Sequence, residues 1–331
     1  MDLAGKRGRL ATAAAVLAFI GFTVWALASQ GLQLNTDWLF IWLVLGLLAL
    51  SLTDIKRWAR GVIFDWLPFA GFLLAYDFVR GLADNIGIAP HTTTAIDFDR
   101  AIFGHTLPIS WLQERLFDPN VPHWYDYATF FIYLSHFFTT ILIAAILWRW
   151  RYPLFRRWRA MVLVLAAAGF ATYALFPGTP PWLASQEGYL PPITRTIAYM
   201  WQHVGFYPAA ALFENSNRYV NDVAALPSLH SAYTLLPALF FWSMANAWQR
   251  VLLVLYPLAM AFSLMYTGEH YLFDIVLGWV YAVAVYALVM VYERVRDSGR
   301  SEAAPAAQRA ELAYASGVGP PAAQGSVRES R

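Results

Sequence analysis

Long uninterrupted stretches of apolar residues restrict most strongly how this chain can fold. Several of them approach or exceed the ~18 residues that mark a membrane-spanning helix. Only 13% of the 331 residues are charged and 59% are hydrophobic, whereas soluble domains carry about 25% charge. Lipid admits only helices or closed barrels, and these stretches are too long and continuous for barrel strands. The sequence therefore predicts an all-α polytopic membrane protein.

About eight membrane-spanning helices are predicted from these stretches. Their approximate bounds are Leu10–Ser29, Trp38–Leu52, Val62–Val79, Tyr125–Trp148, Ala160–Phe176, Leu229–Trp248, Val251–Tyr266 and Tyr271–Tyr292. The first could also be a signal peptide, but no clear small-residue cleavage site follows it, which favours an uncleaved span. Residues 1–296 then form a single transmembrane domain, in which the first two spans are candidate accessory elements. The Ala-, Gly-, Ser- and Pro-rich residues 297–331 predict a disordered cytoplasmic tail.

The positions of Lys and Arg between the spans predict the orientation of the chain. Basic residues follow the second, fourth, sixth and eighth spans, and the other connections hold none or only scattered arginines. The positive-inside rule therefore places both termini in the cytoplasm and the starts of spans six and eight on the extracytoplasmic side of the plasma membrane. A formal net charge of +2 gives no reason to expect nucleic acid as a partner, and the absence of cysteine excludes thiolate chemistry.

Two histidines and a carboxylate stand at the extracytoplasmic mouths of two predicted spans. His230 opens span six, and His270 opens span eight, with Asp274 four residues later. This spacing places His270 and Asp274 on one helix face, where the carboxylate can accept the Nδ1 proton of the imidazole. Nε2 then carries a lone pair, as a histidine nucleophile requires. His230 is the candidate general acid for the leaving group.

Helix polarity gives a separate reason to expect an anion at these mouths. Both spans direct backbone N–H groups and positive dipole ends towards the same region. Pro227 suits a helix entrance, and Ser228 can cap the helix or bind a phosphate oxygen. Two other interpretations stay open, namely boundary histidines without chemistry and a metal site formed by His230, His270 and Asp274. Asp274 favours a functional site, because a charge about one turn inside an apolar span needs a partner.

These residues resemble the type 2 phosphatidic acid phosphatase superfamily. Pro-Ser-Leu-His at 227–230 and His-x-x-x-Asp at 270–274 are similar to its second and third signatures. Further stretches similar to its inositol phosphorylceramide synthase branch, the inositolphosphotransferase-like proteins, are residues 75–81, 133–137, 176–182 and 221–230. The resemblance covers roughly residues 65–290 and implies a core six-helix bundle. It also implies a phosphohistidine on His270, orientation by Asp274 and proton donation by His230, with no metal or cofactor.

Cations that the superfamily uses to bind phosphate are missing here. No Lys-x6-Arg-Pro signature exists, and Ser263-Leu264 stands where the superfamily has Ser-Arg. Because a phosphate in a low-dielectric site needs a counter-charge, the candidates are the extracytoplasmic Arg80, Arg195 and Arg218. Arg80 is favoured, since it ends span three within a family-like stretch, although an interfacial anchor explains it equally well. Arg195 and Arg218 have ordinary loop positions.

Two polar residues lie deep in span four. His136 is about three turns inside the span, with Tyr133 one turn away. Residues of this kind usually face the interior of a helix bundle. We expect both to line the substrate cavity, with a structural hydrogen bond as the alternative for His136.

The sequence thus predicts a lipid phosphatase or phosphotransferase. The phosphate of a phospholipid or polyprenyl phosphate would bind at the N-terminal ends of spans six and eight, while the acyl or prenyl chains stay in the bilayer. The sequence does not reveal what would exclude water, so it supports hydrolysis and transfer to an alcohol acceptor almost equally. The branch resemblance slightly favours transfer. A non-enzymatic transporter is the alternative. It would carry polar or broken segments near mid-membrane in both halves, whereas the ionisable groups here gather on one face.

Overall fold

The structure is a computed structural model that describes residues 3–30, 36–51, 59–69, 71–72, 88–204 and 223–303. Within these ranges the regular structure is helical, apart from isolated bridges that join His91 to Gly178 and Gly178 to Ala224, and the all-α prediction is confirmed. The helices are α1 Leu3–Gln30, α2 Thr36–Ser51, α3 Thr93–Phe103, α4 Pro108–Leu116, α5 Trp124–Trp150, α6 Tyr152–Leu175, α7 Pro181–Gln186, α8 Thr196–His203, α9 Leu229–Phe241, α10 Ala247–Tyr266 and α11 Leu272–Ala303, with a π-helical segment Val62–Trp66 before α3.

Several of these helices are long and apolar enough to cross a membrane. Among the described residues they are α6, α10 and the part Leu272–Gly299 of α11. The two halves of α5, which meet at 47°, make a fourth if they form one span. The chain is therefore a multi-pass membrane protein, while the number eight stays a prediction. The sixth predicted span is shorter than expected, because α9 ends at Phe241 and a new helix begins at Ala247.

Apolar side chains from α5, α8, α10 and α11 form one buried core. Its members are Phe130, Tyr133, Leu134, Ile197, Met200, Trp201, Met260, Ala261, Leu264 and Ile275. Burying a side chain of this kind stabilises the fold by about 1.5–3 kcal/mol. Because Tyr133 and Ile275 belong both to this core and to the helices that carry the predicted site, the core holds those helices in register.

Short helices in the two long connections form a second cluster around the start of α11. α3 and α4 lie in the connection between the third and fourth predicted spans, and α7 lies in the connection between the fifth and sixth. α7 begins at Pro181, since proline is well tolerated in the first helical turn. Residues of α3, α4 and α7 pack with Tyr271, the residue that follows His270. The connections thus pack directly against the predicted site.

A buried ion pair stabilises the opposite end of α5 and α6. Asp65, in the π-helical segment, is 6% exposed and accepts hydrogen bonds from Trp148 Nε1 at 3.1 Å, Tyr152 OH at 3.0 Å and Arg159 Nη1 at 3.0 Å. The backbone of Gly61 lies against the Trp148 ring, because a Cβ on Gly61 would be only 2.2 Å from that ring. The carboxylate therefore has both a permanent cation and neutral donors.

The chain consists of two compact units, Met1–Tyr286 and Ala287–Arg331. The boundary falls within α11, and all the described residues of the predicted site belong to the first unit. Residues 304–331, most of the predicted tail, lie outside the described residues.

Candidate active site

Asp274, His270 and His230 form one hydrogen-bonded row. His270 Nδ1 lies 3.4 Å from Asp274 Oδ2, and His270 Nε2 lies 3.2 Å from His230 Nδ1. With Asp274 ionised, the Nδ1–H of His270 donates to the carboxylate, so Nε2 bears the lone pair and accepts from the Nδ1–H of His230. Since Asp274 and His270 are buried, the arrangement holds the imidazole in the tautomer that a nucleophile needs.

The contact between His270 and Asp274 arises from the first turn of α11. Asp274 Oδ2 also accepts the backbone N–H of Tyr271 at 3.1 Å, so the carboxylate reaches back over the start of the helix. The helix begins at Leu272. The spacing argument that placed both residues on one helical face is therefore wrong in detail, because His270 precedes the helix. The predicted contact is nevertheless formed.

His230 is positioned by the capped start of α9. The side chain of Ser228 accepts the N–H of Ser231 at 3.3 Å, and Ser231 Oγ lies 2.9 Å from the carbonyl oxygens of both Ser228 and Ile275, which share its single proton. The N–H of Ser228 donates to the carbonyl oxygen of Asp274 at 3.0 Å. Of the two roles predicted for Ser228, the structure contains the cap, and phosphate binding stays a prediction.

A glycine allows α9 and α11 to approach at this point. A Cβ on Gly278 would lie 2.2 Å from the carbonyl oxygen of Ser228 and 2.3 Å from Ser231 Oγ. No side chain fits in that space without moving a backbone. The distance between the two histidines is thus set by contacts between helix backbones.

Tyr133 and His136 of α5 contact His230. The ring of Tyr133 stacks on His230 with centroids 5.0 Å apart, and the centroids of His136 and His230 are 4.1 Å apart. His136 Nδ1 also lies 3.4 Å from the carbonyl oxygen of Tyr133. The structure therefore brings both predicted residues to the site, where they surround the imidazole of His230.

Asp99 of α3 caps the N-terminus of α11. Its Oδ2 accepts the N–H of Leu272 at 3.0 Å, and its Oδ1 accepts the N–H of Phe273 at 3.1 Å. The side chain is 2% exposed, and burial raises the pKa of Asp99 to about 6, against the opposing effect of these two hydrogen bonds. The prediction that these N–H groups face a phosphate is wrong, because a carboxylate of the chain itself accepts them. Sequence reasoning missed Asp99, since nothing in α3 identifies a partner so distant in the chain.

Gln113 of α4 holds the loop that leads to His270. Its Nε2 donates to the carbonyl oxygens of Tyr266 and Thr194 at 2.8 and 2.7 Å, and its Oε1 accepts the N–H of Thr194 at 2.9 Å. Both ends of one buried amide thus join α4, the residues before α8 and the end of α10. The sequence offers no signal for this role, because a single Gln in a short helix is usually a surface residue.

Arg195 is the one predicted phosphate-binding cation that lies within the described residues. Its guanidinium pairs with Glu269 through Nε–Oε1 at 2.7 Å and Nη2–Oε2 at 3.1 Å, and it lies 4.7 Å over the ring centroid of Trp182. It therefore contacts the residue next to His270, in a bidentate pair. The other two candidates, Arg80 and Arg218, lie outside the described residues.

Leu264 occupies the position at which the superfamily has arginine. Its side chain is buried in the apolar core, while its carbonyl oxygen accepts the N–H groups of Glu269 and His270 at 3.1 and 3.3 Å. Ser263 donates from Oγ to the carbonyl oxygen of Thr129 at 2.7 Å. Both residues thus support the loop, and neither offers a cation.

In the part of the chain that the structure describes, no three His, Asp or Glu side chains are arranged to hold a metal ion. His230, His270 and Asp274 follow one another in a row rather than converging on one point. Independence of metal stays a prediction that chelation can test.

Comparisons with known proteins agree with the motifs. A family model described as the PAP2 superfamily matches residues 96–288, which is more than half of the chain and contains His136, His230, His270 and Asp274. The chain is also similar to the phosphoinositol dihydroceramide synthase of Bacteroides thetaiotaomicron, with 25% identity over 221 residues that cover 64% of this chain and 71% of that protein. No solved structure matches the chain significantly. The predicted family resemblance is confirmed.

Proposed function

Because the chain belongs to the PAP2 superfamily, we propose that it is a membrane-embedded enzyme that cleaves a lipid phosphate ester and transfers the phosphoryl head group to an alcohol acceptor. The observation that carries the proposal is the row formed by Asp274, His270 and His230. It joins a carboxylate, an oriented nucleophile and a proton donor. Similarity to a protein named a synthase favours transfer over hydrolysis.

In the first half-reaction, His270 Nε2 attacks phosphorus and the bond from phosphorus to the departing oxygen breaks. His230, in its protonated form, gives a proton to that oxygen. The Nδ1–H of His270 stays on the imidazole and keeps its hydrogen bond to Asp274, which stabilises the positive charge that develops on the ring. A phosphate that reaches Nε2 replaces the hydrogen bond from His230, so both histidines then contact the same group.

In the second half-reaction, the acceptor hydroxyl gives its proton to His230 and its oxygen attacks phosphorus. The phosphorus–nitrogen bond breaks and His270 returns to its starting form. Water in place of the alcohol would make the enzyme a phosphatase. The substrate class is a phospholipid or polyprenyl phosphate, whose chains remain in the bilayer beside α9–α11.

The proposal includes the side of the membrane on which the site lies. Arg149 lies in the last turn of α5, Arg151 directly follows this helix, and Arg156 and Arg157 lie in the first turns of α6, so the positive-inside rule assigns this end to the cytoplasm. The segment that leads into α9 and His230 contacts the other end of α6, where Tyr173 OH donates to the carbonyl oxygen of Pro227 at 2.8 Å. We therefore assign the site to the extracytoplasmic face of the plasma membrane.

The proposal is tested with purified protein, a panel of lipid phosphates and candidate alcohols, each assayed with and without EDTA. Release of phosphate and formation of a new phospholipid are measured together, which separates hydrolysis from transfer. His270→Ala should abolish both products and the radiolabelled phosphoenzyme, whereas the exposed His203→Ala, a matched control in α8, should not. Activity that survives His270→Ala rejects the histidine mechanism, and activity that EDTA abolishes supports a metal site instead.

A further inference from the structure

We propose that Asp99 is a positioning residue of this site, which fixes the first turn of α11 and thereby holds Asp274 against His270. The inference rests on the proposed function, since it concerns the orientation of the same nucleophile. Asp99 is on α3, outside the helices that carry the histidines, and nothing in the proposed chemistry requires it.

The contacts of the first turn carry the argument. Asp99 accepts the N–H groups of Leu272 and Phe273, the two residues immediately before Asp274. The backbone carbonyl of Asp274 is bound from the other side by the N–H of Ser228 at 3.0 Å. The turn is therefore held between α3 and the start of α9. Of its two partners, the Asp99 side chain and the Ser228 backbone N–H, only Asp99 can ionise.

The residue before α11 is not one of the usual helix caps. Helix N-termini are usually capped by a Ser, Thr, Asp or Asn at the preceding residue, as α9 is by Ser228 and α10 by Asn246. The corresponding residue of α11 is Tyr271, whose ring is buried in the cluster with α3, α4 and α7. The first N–H groups of α11 therefore depend on a carboxylate from another part of the chain.

The geometry of the row makes it sensitive to this turn. The contact from His270 Nδ1 to Asp274 Oδ2 is 3.4 Å, at the long end of a hydrogen bond. If the first turn of α11 loosened, the distance from His270 Nδ1 to Asp274 Oδ2 would increase and the carboxylate would no longer fix the tautomer of the imidazole. Because a misplacement of about 1 Å can reduce a rate about 10²-fold, Asp99→Ala should lower kcat by about 10- to 100-fold. KM should change little, since Asp99 is not assigned a contact with the substrate.

The experiment compares Asp99→Ala and Asp99→Asn with Asn246→Ala, which removes the N-cap of α10 away from the site. Asp99→Asn keeps the shape and one acceptor oxygen, so it should fold and should lose less kcat than Asp99→Ala. Asn246→Ala should change kcat by less than about twofold, although it also removes a typical helix cap. This control separates positioning from a general loss of helix stability.

Hydrogen exchange at Leu272 and Phe273 gives a readout that needs no turnover. Both Asp99 variants should exchange these amides faster than the wild type does. If the wild-type protein transfers no phosphate but the amides respond, the proposed function fails and the cap stands. The positioning role is overturned if the variants keep wild-type kcat, or if their kcat falls only in proportion to the folded fraction. Unchanged exchange at both amides would overturn the cap itself.

Discussion

Two buried carboxylates, at opposite ends of α6, have partners of different kinds. Asp65 is 6% exposed and binds Arg159 at 3.0 Å, together with the indole of Trp148 and the hydroxyl of Tyr152. Asp274 is 1% exposed, and its side-chain partner is His270 at 3.4 Å. A carboxylate in an apolar environment needs such compensation in either case.

The difference lies in what the partner can do. Arginine remains charged at every physiological pH, so the pair of Asp65 and Arg159 is electrically fixed and can only stabilise the fold. Histidine gains and loses its proton near neutral pH. The pair of Asp274 and His270 can therefore accept charge during a reaction. Burial of a carboxylate alone does not distinguish a structural site from a reactive one, but the chemistry of its partner does.

Replacing Asp274 should produce the largest effect. In Asp274→Asn the amide can donate to His270 as well as accept from it, so the required tautomer is no longer enforced. We expect kcat to fall about 10³-fold or more, by analogy with other carboxylates that orient a catalytic histidine, and the protein to remain folded. Steady-state turnover and phosphoenzyme trapping measure it. Asp65→Asn is the matched variant and should keep kcat per folded molecule. Full activity in Asp274→Asn would show that the orienting role is wrong.

Removing the permanent cation should affect stability and leave the chemistry unchanged. Arg159→Met leaves Asp65 without a counter-charge, which should lower the free energy of unfolding by about 3 kcal/mol, the lower part of the range for buried pairs. The lower part applies because the Arg159 side chain is 24% exposed. Unfolding in denaturing detergent measures the change, and kcat of the folded fraction should be unaltered. Adding Asp65→Asn to Arg159→Met should restore part of the lost stability. A drop in the kcat of the folded fraction would contradict the view that this pair affects stability alone.

Gly278, beside Ser228, and Gly61, beside Trp148, test whether the same steric change has different effects at the two sites. In Gly278→Ala and Gly61→Ala the new Cβ would lie 2.2 Å from the Ser228 carbonyl oxygen and the Trp148 ring, respectively. Each should cost about 2 kcal/mol of stability, because overpacking displaces neighbours. Only Gly278→Ala should also lower kcat, since it separates α9 from α11. Equal kcat in the two folded variants would show that the histidine spacing does not depend on this contact.

Asp99 represents a third arrangement, a buried carboxylate held by neutral N–H groups, and its titration should give the smallest change in stability. Its pKa of about 6 exceeds the ordinary value of 3.8, so the folded state binds the proton more tightly than the unfolded state does. Its contribution to stability is therefore complete below pH 3.8 and is lost as the pH rises through 6. Between about pH 5 and 7 the wild type should lose about 1 kcal/mol relative to Asp99→Asn.

Thermal unfolding of both proteins across this pH range measures the difference. Asp274 and Tyr271 face Asp99 and are present in both, so their contributions cancel to a first approximation. A difference in stability that is independent of pH, or that grows in the opposite direction, would show that Asp99 does not carry the raised pKa.

Local patterns in the sequence predicted much of the fold and the centre of the site. Apolar stretches identified α5, α6, α10 and α11, because lipid requires long apolar helices. The contact between His270 and Asp274 was predictable because the two residues are close in the chain, and the cap at Ser228 for the same reason. Tyr133 and His136 were found because polar groups at that depth turn inwards.

Contacts between distant segments could not be predicted. Asp99 binds residues 173 and 174 positions later, and Gln113 binds Tyr266, 153 positions later. No periodicity or spacing relates such pairs in a single sequence. The expectation that the start of α11 offers its N–H groups to a phosphate failed for this reason, because it considered the helix without the carboxylate that α3 supplies.

The long separations in sequence also determine when the site can form during folding. The stretch from Tyr266 to Leu272, which includes the end of α10 and the start of α11, forms hydrogen bonds with Gln113, Trp182 and Asp99, all of which lie far earlier in the chain. Closing such long loops requires chain entropy to be lost before the contacts compensate for it. Individual helices can form early, but His270 reaches its place only when the short helices of both long connections have docked. A partly folded chain would thus contain every residue of the proposed site without the geometry that the proposed mechanism requires.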